Sequence, residues 1–224
     1  MTTEQTRVAR LYFGAFIACV VLTILSILFV DRAVATWAHA VLNRPEPLEW
    51  LTHMIDPFVP AASIALVGVA IAAVCGWRPG PFGRTLIALC IAVLIATVLK
   101  EELKFLFGRT WPETWVGNNP SWIKDGVYRF EPLHGGRGWA ALPSGHMALI
   151  AAPCTVLWML APRIWRWLWA ALILAMAIGL IASDYHFVGD MIAGTFVGWA
   201  CGISAVALTR GLVTPPEAPE RALP

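Results

Sequence analysis

Charged side chains are what this chain has least of. Only 13% of its 224 residues are Asp, Glu, Lys or Arg, while 58% are hydrophobic. Soluble domains carry about 25% charged and about 45–50% apolar residues. The deficit excludes an ordinary water-soluble globule and marks an integral membrane protein, with a mean hydropathy of +0.69. The formal net charge of +2 is too small to call for nucleic acid or an acidic partner. Cysteine is sparse as well. Cys19, Cys75, Cys90, Cys154 and Cys201 all fall inside apolar runs, and no Cys-x-x-Cys spacing occurs. They read as small buried hydrophobes, not as a disulfide framework or a metal site.

What is abundant is long apolar sequence. A spanning helix takes about 20 mainly apolar residues, and six stretches are candidates. The first, 11–30, is closed by Asp31-Arg32. The second, 58–76, is followed by the breakers Pro79, Gly80, Pro81 and Gly83. The third, 85–99, continues as a charged helix to Phe107. The others are 144–160, closed by Pro162, then 167–183 and 188–208. Residues 33–57, with Trp37, His39, Trp50 and His53, read as an interfacial helix or loop. The first stretch lacks a small-x-small cleavage site and precedes five more, so it reads as a retained helix and not a signal peptide. The expected fold is all-α: a six-transmembrane-helix bundle forming a single domain over 1–210. Residues 211–224, ending in "TPPEAPERALP", form a tail that is expected to be disordered.

Six spans put both termini on one side. Arg7 and Arg10, Arg78 with Arg84, Arg163 with Arg166, and Arg210 all fall at that side. The positive-inside rule places it in the cytoplasm, with the protein in the cytoplasmic membrane. Segments 31–57, 108–143 and 184–187 then share the outer face. The middle one, about 36 residues, is an extended outward-facing loop between spans three and four. Loops beyond about 12–15 residues are usually functional or disordered. Its Trp111, Trp115, Trp122 and Trp139 suit an ordered substrate-binding lid or an interfacial aromatic belt.

Three polar clusters interrupt the apolar pattern. In "ALPSGHMALIAAP" Ser144 is placed to cap a helix. A helix N-terminus also attracts anions through its free N–H groups and its dipole of roughly +0.5 charge. Gly145 allows close approach to the backbone, and His146 stands ready to move a proton. An ordinary cap beside an interfacial His is the plainer alternative. In "SDYHFVGDMIAG" His186 and Asp190 are four apart, on one helix face. The carboxylate can accept Nδ1–H and leave Nε2 as nucleophile or base; a purely structural pair is the alternative. In "VLKEELKFLFGRTWPETW" Lys100 and Lys104 share a face, and Arg109 follows; such cations can also simply snorkel to the interface. With spans of alternating direction, the end of span three and the starts of spans four and six lie at one membrane face, so the three clusters can meet.

Together, "LKFLFGR", "LPSGHM" and "HFVGDMIAG" resemble the three signature segments of the type 2 phosphatidic acid phosphatase superfamily, over roughly residues 98–198. The resemblance implies a membrane lipid phosphatase. His186 would be the nucleophile that forms a phospho-histidine, Asp190 its orienting partner, and His146 the general acid. Lys104, Ser144 and the Gly145 N–H would bind phosphate oxygens. No metal or cofactor is implied, and the expected partners are a lipid phosphate substrate and the membrane.

The chain departs from the family pattern twice. The arginine of Lys-x6-Arg-Pro falls on Trp111, and the Ser-Arg pair of the third segment falls on Gly179-Leu180. Arg is hard to replace where a planar fork grips phosphate. Arg109 is the first candidate substitute and Arg137 the second, with Arg129 and Lys100 behind them. Three functions stay open: hydrolysis of a lipid phosphate or diphosphate, transfer of the phosphoryl group to an acceptor, or lipid-phosphate binding without turnover. Nothing in the spans names a head group or an oligomeric state.

Overall fold

In a bilayer core no water is present to bond backbone N–H and C=O groups, so a chain this apolar must satisfy them within helices. The structure, a computed structural model, describes residues 3–42, 44–115 and 117–211. Among them there is no strand, only isolated bridges such as Arg109 with Phe130 and Trp111 with Ser121. The helices are α1 (Thr3–Leu25), α2 (Asp31–Leu42), α3 (Glu46–Glu49), α4 (Phe58–Val74), α5 (Pro81–Phe107), α6 (Trp122–Asp125), α7 (Gly145–Leu160), α8 (Arg166–Ala182) and α9 (Val188–Gly211). The surface is apolar over most of its length, with Phe13, Phe29, Ile64, Val74, Phe82 and Trp167 exposed. Exposed apolar area on this scale is untenable in water.

Five helical stretches among the described residues are long and apolar enough to cross a membrane: Ala9–Leu42, Glu46–Val74, Pro81–Phe107, Arg163–Ala182 and Val188–Arg210. The expected fourth span, α7, has only sixteen residues and falls short of the usual length. It is also the most enclosed helix, with Met147 to Ala152, Cys154 and Val156 all buried. It packs most extensively against α9, and then α5 and α8.

The sequence expectation fails at the end of the first span. Asp31-Arg32 does not stop the helix. A π-helical turn, Ser26–Val30, joins α1 directly to α2, so one apolar stretch of 34 residues runs to Leu42. A π-turn widens the helix locally, and Asp31 is fully buried just beyond it. A carboxylate there is tolerable only with strong partners, described below. The expected break after the second stretch is present, between Val74 and Pro81. Pro81 occupies the first turn of α5, where its missing N–H costs nothing. Of the cysteines, Cys90, Cys154 and Cys201 are buried, but Cys75 is exposed and Cys19 half-buried. The expected disordered tail lies almost wholly outside the described residues.

The contact that sets the position of the polar end of α7 is a glycine stripe on α9. A Cβ on Gly194 would stand 2.3 Å from the Ser144 carbonyl oxygen, one on Gly198 2.4 Å from that of Ala148, and one on Gly202 2.6 Å from that of Ala152. Small residues four apart let two helix backbones touch. Gly198→Ala should therefore push α7 from α9 and cost about 1–3 kcal/mol. Gly68→Ala, where a Cβ meets nothing within 4 Å, should be neutral or slightly stabilising. Thermal unfolding of the detergent-purified protein separates the two, and equal midpoints would refute the close approach.

Candidate active site

The polar clusters converge where α5 ends and where α7 and α9 begin. Ser144 caps α7 and its hydroxyl accepts from the Met147 N–H at 3.3 Å. Its own N–H donates to the Asp190 carbonyl at 2.9 Å, stitching the start of α7 to α9. Next to the cap, Gly145 faces α5. A Cβ there would stand 3.1 Å from Lys100 Cδ and 3.4 Å from Lys104 Nζ. Both lysines thus lie over the helix N-terminus, and any side chain at 145 would crowd them.

Across from them, His186 Nδ1 donates to Asp190 Oδ2 at 3.4 Å, and the Phe187 N–H donates to the same oxygen at 3.1 Å. That bond leaves Nε2 as the free ring nitrogen. His186 is 4% exposed, and its ring centroid is 5.8 Å from that of the half-buried His146. Tyr185 meets both rings edge-on, at 4.9 Å from His146 and 5.4 Å from His186. Burial pushes the His186 pKa below its ordinary 6.5, against the opposing pull of its hydrogen bond with Asp190. The imidazole is therefore neutral at neutral pH.

Arg109 is not where a phosphate ligand would be sought. Its guanidinium is 1% exposed and spans two carboxylates, with Asp190 Oδ1 and Asp31 Oδ2 each 2.5 Å away. It also donates to the Tyr128 hydroxyl at 2.6 Å and packs on the Phe187 ring at 4.5 Å. Burial alone would lower the Arg109 pKa, but Asp190 and Asp31 together hold it above its usual value. Asp31 accepts further bonds from Ser26 Oγ at 2.6 Å and the Gly189 N–H at 2.8 Å. The contacts thus place Arg109 behind Asp190, binding α2, the long loop and α9 together, and not as the expected substitute clamp. Arg129 is exposed and pairs with Glu131. Arg137 remains close: it shares a cavity of about 290 Å³ with Lys104, Glu101 and His134.

Where the family arginines were expected, apolar groups fill the space. Trp111 is buried with its ring 5.0 Å from His186, and its N–H donates to the Arg137 carbonyl at 2.8 Å. Leu180 is wholly buried in the core. Two more indoles are tied into the protein, Trp115 to the Asp184 carbonyl and Trp122 to Thr36. The long loop is therefore pinned against the site. Sequence reasoning missed Asp31, Tyr128 and Tyr185. A lone carboxylate inside a long apolar helix was the available signal for Asp31; nothing distinguished the tyrosines.

A second polar group lies beside the first. His39 and Arg44 both donate to Asp184 Oδ2, at 2.8 and 3.1 Å, and Arg44 pairs with Glu113 at 2.6 Å. His39, Glu113 and Asp184 are close enough to share a cation, but Arg44 already supplies one to both carboxylates.

A family model described as PAP2 superfamily matches residues 85–212. No curated protein and no solved structure matches the chain.

Asp31→Ala should take one of the two carboxylates from Arg109 and leave Ser26 Oγ and the Gly189 N–H without their buried acceptor. Breaking a buried pair in this way costs about 3–5 kcal/mol. The expected result is a large drop in the thermal midpoint in detergent, with Asp31→Asn intermediate. A midpoint within a degree of wild type would show that the pair does not hold the site together.

Proposed function

The chain belongs to the PAP2 superfamily, and from that premise we propose that it is an integral membrane phosphatase hydrolysing a lipid phosphate or diphosphate through a phospho-histidine. The observation that carries the reading is the pairing of His186, oriented by Asp190, with His146 beside the lysine-covered N-terminus of α7. In the first step His186 Nε2 attacks phosphorus, and the bond to the lipid oxygen breaks. His146 gives that oxygen its proton, so the leaving group departs as an alcohol or, from a diphosphate, as a lipid monophosphate. In the second step His146 takes a proton from water. The resulting hydroxide attacks the phospho-histidine, the P–N bond breaks, and inorganic phosphate leaves. Lys104, Arg137 and the α7 N–H groups hold the negative oxygens throughout.

A lipid substrate suits the surroundings. The protein is apolar outside the site, and a groove of about 540 Å³ between α1, α5 and α9 is lined by Ile27, Leu99, Leu103, Phe107, Pro143 and Phe196. Leu103 and Pro143 adjoin Lys104 and Ser144 in sequence. We read α7 as a sixth span whose shortness is offset by enclosure among its neighbours. Residues 1–210 then form one domain, with both termini cytoplasmic and the site on the outer face of the cytoplasmic membrane.

Purified protein should release phosphate from at least one of phosphatidate, phosphatidylglycerophosphate, undecaprenyl diphosphate and lipid A, with EDTA present. His186→Ala and His146→Ala should each lower the rate by at least about a hundredfold. Release of none, or wild-type turnover by His186→Ala, would sink the reading. Product analysis with an added acceptor alcohol separates transfer from hydrolysis. The pH profile carries a sign. A lowered His186 pKa means that the neutral nucleophile persists as pH falls below 6.5. The acid limb of kcat/KM should accordingly lie below pH 6.5; a limb above it would contradict the assignment.

A further inference from the structure

Two arginine positions of the family pattern are apolar here, and Arg109 is occupied behind Asp190, so phosphate charge must be met by other groups. Lys100 does not belong to the family pattern, yet its side chain lies along Gly145 more closely than that of Lys104 does, with Cδ at 3.1 Å and Cε at 3.5 Å from a Cβ there. The Lys100 and Lys104 side chains are 12% and 15% exposed. Two nearly buried ammonium groups one helical turn apart repel each other and need an anion between them. In the structure that anion is Glu101. One oxygen of its carboxylate contacts Lys100 Nζ directly and stands 3.6 Å from Lys104 Nζ. The Glu101 side chain is 56% exposed, so it can swing into solvent at little cost.

Resting on the phosphatase reading above, we infer that Lys100 and Lys104 form a two-lysine phosphate clamp replacing the missing arginines, and that Glu101 holds the place of the phosphoryl group until substrate displaces it. A phosphoryl group outcompetes the carboxylate because it carries more charge and more oxygens. It also reaches the N–H groups at the start of α7, which favour anions. The geometry separates two duties: Lys100 sits over Gly145, whereas Lys104 also faces the cavity that Arg137 rims. Lys100 binds the transferring phosphoryl group itself. In a diphosphate substrate, Lys104 with Arg137 would also meet the second phosphate.

The test is equilibrium binding of inorganic phosphate to the full-length protein in detergent, measured beside turnover of the four lipids. Lys100→Ala should weaken phosphate binding by about tenfold, and Lys100→Arg should restore most of it. Glu101→Gln should tighten binding several-fold and lower KM with little change in kcat. Glu102→Gln, an exposed neighbour on the same helix, should bind as wild type. Thermal midpoints of all four variants check folding. Wild-type phosphate affinity in Lys100→Ala, or unchanged or weaker binding in Glu101→Gln, overturns the inference, as does absence of saturable binding in both wild type and Glu101→Gln. Lysine-dependent binding without lipid turnover would keep the clamp and reject the phosphatase. Turnover with binding indifferent to Lys100 would do the reverse.

Discussion

The site depends on one buried cation. Arg109 lies between Asp31 and Asp190, and both carboxylates are fully buried. None of the three would be tolerated alone in an apolar interior, because desolvation of a single charge costs several kcal/mol. As a set they fix three separate pieces of chain. Asp31 comes from the junction of α1 and α2, Arg109 from the loop after α5, and Asp190 from the first turn of α9. Tyr128 closes the knot by donating to the Ile27 carbonyl at 2.8 Å while accepting from Arg109. The position of Asp190 then decides that of His186, so the proposed nucleophile is aimed by a charge network buried behind it.

The same knot explains how the chain departs from its family pattern without losing the outline of the site. Trp111 fills an arginine position with an indole tilted against His186, and its N–H ties down the loop that carries Arg137. Positive charge lies instead at the end of α5, where Lys104 Nζ and the stem of Lys100 pack against the glycine that opens α7. The glycine stripe of α9 completes the frame. It brings the backbones of α7 and α9 into contact, so the cap of one helix bonds the first turn of the other.

Much of this was legible beforehand. Helical stretches were readable because a bilayer admits few alternatives to a helix, and their bounds agree within a few residues over 58–76, 144–160, 167–183 and 188–208. The meeting of Ser144, Gly145, His146, Lys104, His186 and Asp190 followed from alternating span direction and from spacing. The failures share a cause. Asp31 reads as a stop because charge in an apolar run ordinarily ends a span; it is tolerated only because Arg109, 78 residues away, neutralises it. Arg109 reads as the first candidate for a phosphate ligand because of its spacing from the missing arginine, and spacing says nothing of the partners a side chain meets.

Alone, then, the sequence determined the solvent, the helical class, the family and which polar side chains gather at one face, since these rest on composition and on intervals of one to seven residues. Only the tertiary structure decided which charges pair with each other and which remain for an anion. Partner choice among Asp31, Arg109 and Asp190, and the enclosure of Lys100 and Lys104 against Gly145, are set by distances of a few ångströms and by exclusion of water. Both arise only when segments far apart in the chain are packed together.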